Sequence, residues 1–187
     1  GAQVLVERVR DELDLEIRGS LRDREKIPAE GRLLIAANHP RAFLDLIAVY
    51  STVHGIRRDI TVIADSLPEF TGDDGTVILN PGKHRPYTTL RKVQKALQEE
   101  RAVIYFPAKT RHWRLNQISD GDWSKAVTQM ASSWQVPVVA MHIAARNRLS
   151  HYFWTAVSGL YSDISLDSEI KSQKHSSISL AVSHPIM

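Results

Sequence analysis

The chain has 187 residues, 43% of them hydrophobic, no cysteine, and a formal net charge of +3 with a sequence pI of about 9.3. That length supports one substantial core and predicts a single globular domain over 1–187, while the absence of cysteine excludes disulfides, thiolate nucleophiles and cysteine-based metal sites. The basic residues are too dispersed for a nucleic-acid surface, the eight histidines show no metal-ligand spacing, and no apolar run nears the roughly 18 residues that cross a bilayer.

The opening Gly1-Ala2-Gln3, without an initiator methionine, fits a trimmed or tagged chain. Val4, Leu5, Val9, Leu13 and Ile17 recur among charges at spacings of one, three or four, which predicts an amphipathic helix over about 4–18. Its acidic residues Glu7, Asp11, Glu12, Asp14 and Glu16 roughly balance the basic ones, so it reads as a helix packed on the core rather than one lying on a membrane. Pro28 and Gly31 mark a loop. Leu33 to Ala37 is five apolar residues without helical periodicity, the pattern of a strand covered on both faces. Phe43 to Val53 then reads as a helix.

Ile60 to Ala64 and Thr76 to Leu79 are the next strands, the latter ended by the turn Asn80-Pro81-Gly82. Tyr87 to Glu100 is an amphipathic helix with Leu90, Val93, Ala96 and Leu97 on one face. Ala102 to Phe106 is a fourth strand, Asp122 to Trp134 a helix, and Val136 to Ile143 a fifth strand with Pro137 at its start. Tyr152 to Leu160 and a polar, Ser-rich stretch from Ser162 to Ser177 precede a last strand at Ile178 to Val182. This alternation predicts an α/β fold: a mixed, mainly parallel central sheet flanked by helices.

The candidate chemistry lies at strand ends, where open α/β sheets place their ligands. His39 follows the first strand, and Asp45 follows within a turn or two. An imidazole near its pKa can take a proton from an attacking hydroxyl or amine, and a carboxylate can hold its other nitrogen. Pro40 suits the first helical position after His39 and permits the tight turn such a pair needs. Lys83, His84 and Arg85 follow the third strand, and Lys109, Arg111 and His112 the fourth, where cations could bind phosphate.

Asn38-His39-Pro40 through Asp45 resembles the first motif, N-H-x4-D, of the glycerolphosphate and lysophosphatidic acid acyltransferase (PlsC-like) family. Tyr105-Phe106-Pro107-Ala108-Lys109-Thr110-Arg111 is similar to its F-P-E-G-T-R motif, and Val136-Pro137-Val138-Val139 to its later V-P-[VI]-[VI]-P strand. Order, spacing and strand placement agree from about Ile27 to His184-Pro185-Ile186. The F-P-A form, with the Trp123 helix and Arg146-Asn147, is similar to the branch of hemolysin-like and ornithine-lipid-type acyltransferases. Two departures stand out: five residues separate His39 from Asp45 instead of four, as in family members beginning N-H-P, and Ala108-Lys109 replaces Glu-Gly.

The resemblance implies transfer of a fatty acyl group from acyl-CoA or acyl carrier protein to a lysophospholipid, glycerolphosphate-type or aminolipid acceptor. His39 would be the general base, oriented by Asp45, and Asn38, Arg85, Lys109 and Arg111 would bind substrate. Backbone N–H groups at the start of the following helix would serve the oxyanion, and Phe43, Leu44, Trp113 or Trp123 would line an acyl groove. No acyl-enzyme is expected, since cysteine and a Gly-x-Ser-x-Gly elbow are both absent. No bound cofactor or metal is expected, the acyl donor being a co-substrate. The expected setting is cytoplasmic, peripheral to a membrane surface, and on the cytoplasmic face of the inner membrane if the source is bacterial. The competing expectation is a catalytically impaired lipid-binding or membrane-surface module of the same fold.

Overall fold

The computed structural model describes residues 6–7, 10–12, 14–38, 43–64, 77–79, 86–108, 111–114, 117–120, 122–145 and 177–187, and of residues 43, 64, 77–79, 86, 111–114, 117–120 and 145 the backbone only. In chain order the elements are β1 (Glu16–Gly19), α1 (Leu21–Glu25), β2 (Leu33–Ala37), α2 (Phe43–His54), β3 (Ile60–Ala64), β4 (Val77–Leu79), α3 (Pro86–Gln98), β5 (Ala102–Tyr105), β6 (Arg111–Arg114), β7 (Gln117–Asp120), α4 (Ala126–Trp134), β8 (Val138–Ala145) and β9 (Ser177–Val182). Among the described residues seven strands form one sheet in the order β1-β9-β8-β2-β5-β3-β4, and β6 and β7 form a separate ribbon. Every pairing in the large sheet is parallel except β8 with β9. The α/β sheet expected from the sequence is therefore the observed one.

β2 lies at the centre, paired with β5 on one edge and β8 on the other. All five of its residues are buried. Leu33, Ile35 and Ala37 share one core with α2, β9 and Phe106, whereas Leu34 and Ala36 share the other with Val93, Ala96 and Leu97 of α3 and Val127 and Met130 of α4. The strand's uninterrupted apolar run is the direct consequence, because helices cover both faces. In α3 the inward face is Thr89, Val93, Ala96 and Leu97, and Leu90 points outward, 40% exposed. Periodicity allows either Thr89 or Leu90 on the stripe of Val93, Ala96 and Leu97, and the rotation of the helix on the sheet selects Thr89.

The N-terminal segment differs from a helix running over 4–18. Residues 6–7 and 10–12 are helical. Asp14 then adopts a left-handed φ of 47°, and Glu16–Gly19 becomes β1, paired with β9 in the register Ile17↔Ile178. An open edge of β9 offers backbone partners that helix periodicity cannot anticipate. Ser20 caps α1 by accepting from the Asp23 N–H at 3.0 Å. The Asp23 carboxylate, bonded by Lys26 and Ser20, is held down at about 2.

The N-terminal ends of three strands are tied by one side chain. Arg57, 3% exposed, donates from Nε and Nη2 to the two carboxylate oxygens of Asp59 at 2.8 and 2.6 Å. It also donates to the Pro28 carbonyl at 3.2 Å and the Glu100 carbonyl at 2.9 Å. The Glu100 carboxylate in turn accepts from the Arg32 N–H at 2.8 Å, just after Gly31 turns with a φ of 82°. Arg57→Met would leave two carbonyls without this donor and should cost about 2–4 kcal/mol. The check is a lower denaturant midpoint at unchanged slope. Arg57 also holds the Asp59 carboxyl below its usual range. A depressed carboxylate pKa stabilises the fold at neutral pH and loses that contribution as pH falls through the folded-state value. The wild-type protein should therefore lose stability below about pH 4 more steeply than Arg57→Met, measured by thermal melts across acidic pH.

Candidate functional site

The carboxyl ends of β2, β5, β3, β4 and β8 lie at one edge of the sheet, and the motif residues were expected there. Asn38, directly after β2, is half-buried, and its side chain faces β8: Nδ2 donates to the Ile143 carbonyl at 3.0 Å and Oδ1 accepts from the Ile143 N–H at 2.5 Å. Both polar atoms of the carboxamide thus engage main chain. His39, Pro40, Arg41 and Ala42 lie outside the described residues.

Asp45 sits in the first turn of α2 and is fully buried, at 0% exposure. Its neighbours Leu44, Leu46, Ile47, Ala48, Val49 and Tyr50 are buried as well. A carboxylate survives in such a helix only where polar groups meet it. The first turn also places it at the positive end of the helix dipole. A surface position for Asp45 is therefore excluded.

The third motif begins where β5 ends. Ser124 donates its N–H to the Pro107 carbonyl at 2.8 Å, and Ala108 bridges Trp123 in antiparallel fashion. This pins the Phe106-Pro107-Ala108 tail to residues 122–124, which explains why α4 begins at Ala126 rather than at Asp122. The Ser124 hydroxyl accepts from the Ala126 N–H at 3.2 Å at that helix start. Lys109 and Arg85 lie outside the described residues, as do Lys83 and His84. Arg111 and His112 belong to β6, which pairs antiparallel with β7 in the register Arg111↔Asp120 and Trp113↔Ile118. No strand is expected here from the sequence; the two residues Leu115-Asn116 between the paired strands, a length typical of hairpin connections, are the local signal.

Of the proposed acyl-groove residues, Leu44 is core at 2% exposure and Trp123 is 43% exposed. The side chains of Phe43 and Trp113 lie outside the described set. Among the described residues no group of three or more His, Asp or Glu side chains is placed to hold a metal ion, and no helix is long and apolar enough to cross a membrane.

The sheet and its flanking helices define a mixed, mainly parallel α/β fold. The chain superposes on the crystal structure of the 1-acyl-sn-glycerophosphate (LPA) acyltransferase PlsC from Thermotoga maritima with a TM-score of 0.59 over 97% of its own length, at 17% sequence identity. It spans 65% of that protein's chain. No protein-family model and no curated protein matches the sequence. Asp45→Asn keeps the side chain's volume and should still unfold cooperatively, with stability changed by no more than about 3 kcal/mol in a denaturant titration.

Proposed function

We propose that the chain is an acyltransferase that moves a fatty acyl group from acyl-CoA or acyl carrier protein to the hydroxyl or amine of a lysophospholipid, glycerolphosphate-type or aminolipid acceptor. The observation carrying this reading is Asp45: a fully buried carboxylate in the first turn of the helix that follows the central strand, six positions after His39, within a PlsC-type fold. In this mechanism His39 takes the proton of the acceptor nucleophile as it attacks the thioester carbonyl. Asp45 orients the imidazole and stabilises its charged form. Collapse of the tetrahedral intermediate breaks the C–S bond, and the imidazolium returns the proton to the departing thiolate. Donor and acceptor are both consumed without a covalent enzyme intermediate.

Arg111 is the first candidate for gripping a phosphate on either substrate, followed by Lys109 and Arg85. Replacing the Glu-Gly of the family's third motif by Ala108-Lys109 exchanges a carboxylate for a cation, which favours an acceptor more anionic, or less cationic, at that point. A peripheral membrane setting draws support from α3, where Tyr87 and Leu90 are 78% and 40% exposed beside the exposed Arg91, Lys92 and Lys95. Such a mixture of apolar and basic side chains suits an anionic lipid surface.

Labelled acyl-CoA and acyl carrier protein, each offered with a panel of lysolipids and aminolipids, test the reading directly. Product formation is expected. Vesicle binding without turnover would instead assign a lipid-binding module. His39→Ala should lower turnover by about 10²–10⁴-fold with an unchanged melting curve. Arg111→Ala should raise KM for the phosphate-bearing substrate more than it lowers thermal stability; the opposite pattern would remove it from the site.

A further inference from the structure

The bonds of Asn38 gain meaning from the ladder they interrupt. β2 and β8 pair in the register Leu34↔Val138 through Ala37↔Met141, and the Leu34 N–H donates to the Pro137 carbonyl at 3.0 Å. In a parallel ladder each such residue donates to the residue before its partner and accepts from the residue after it. Two residues further on, Ala36 is the next to face β8, and after it Asn38. Continued by one more step, the ladder would give the Ile143 N–H to the main-chain carbonyl of Asn38. The Ile143 carbonyl would then go to the N–H of residue 40.

Residue 40 is proline and has no N–H to give. The Asn38 side chain makes both bonds instead: Oδ1 takes the Ile143 N–H and Nδ2 supplies the Ile143 carbonyl. Ile143 is 2% exposed, so its main-chain groups require partners. We propose that Asn38 is a positioning residue, whose carboxamide caps the β2–β8 ladder and thereby ends main-chain pairing with β8 at the residue that precedes His39 in the sequence. Asn38 and Pro40 act together. The proline withholds the donor that would prolong pairing, and the asparagine satisfies the partner strand so that ending the ladder leaves no buried group unpaired. What the His39 imidazole does rests on the acyl-transfer reading above.

The test compares wild type, Asn38→Ala and the double variant Asn38→Ala/Pro40→Ala by four measurements. These are amide exchange at Ile143, the melting curve, the NMR titration of the His39 imidazole, and acyl-transfer turnover. In Asn38→Ala the Ile143 amide should exchange at least tenfold faster. In the double variant the restored N–H at position 40 lets the ladder run on, so exchange protection and melting temperature recover. Turnover should nevertheless stay at least tenfold below wild type, and the His39 titration should move, because the histidine has been drawn into the sheet. Recovery of wild-type turnover and titration along with stability would reduce Asn38 to a structural role and overturn the proposal. So would unchanged Ile143 exchange in Asn38→Ala. If that variant does not fold, Asn38→Asp, which keeps the acceptor and loses the donor, is read in the same way. A wild-type protein that shows the expected exchange and titration differences but transfers no acyl group would sink the acyl-transfer reading and leave the positioning role standing.

Discussion

β2 has a strand on each edge and a layer of apolar side chains on each face, and this double burial dictates where the molecule can be polar. Leu33 to Ala37 cannot present a reactive group to solvent, and their backbone donors and acceptors are consumed by β5 and β8. Along this strand, polar chemistry is left to the points where the chain enters and leaves it. The two ends are handled by the same device, a side chain that takes the place of main-chain partners.

At the entering end Arg57 spends its guanidinium on the Asp59 carboxylate and on the carbonyls of Pro28 and Glu100. A planar fork of donors suits this task, since it reaches several oxygens from one buried position without leaving a charge unpaired. That edge is closed by one buried guanidinium. At the leaving end Asn38 bonds both main-chain groups of Ile143, with the shorter and uncharged amide. Each bond contributes little net stability, yet leaving a buried donor or acceptor without its partner would cost about 1–3 kcal/mol. The β2–β8 pairing thereby ends at Asn38, and α2 carries a buried carboxylate in its first turn.

Much of this was legible because each signal was local. The apolar run of β2 and the β-branched Ile60–Ala64 read correctly as strands, and the strand expected at Val136–Ile143 is observed two residues later, at Val138–Ala145, since strands under helices need no alternation. The chain was harder to read where a distant partner decided the outcome. Glu16–Gly19 is a strand because β9 presents an open edge, and the Arg111–Arg114 ribbon exists because Gln117–Asp120 folds back on it. Leu90 yields its inward place to Thr89 because sheet contact fixes the helix's rotation, which hydrophobicity alone does not. For the site, the order of Asn38, His39 and Asp45 at a strand end was visible in the residues. That the Asn38 amide faces Ile143 depends on a strand about a hundred residues away.

By itself the sequence determined the α/β alternation, the central buried strand and the cluster of an asparagine, a histidine, a proline and a carboxylate at its exit, because apolar runs, turn residues and proline's missing N–H act within a few residues. Only the tertiary structure decided that Asp45 is fully buried, that Arg57 closes the opposite edge, and that Asn38 reaches across to β8 rather than outward. The reason is the range of the forces. Backbone preference and periodicity are felt along the chain, whereas desolvation and the demand that every buried polar group find a partner are felt only once distant strands have been brought side by side.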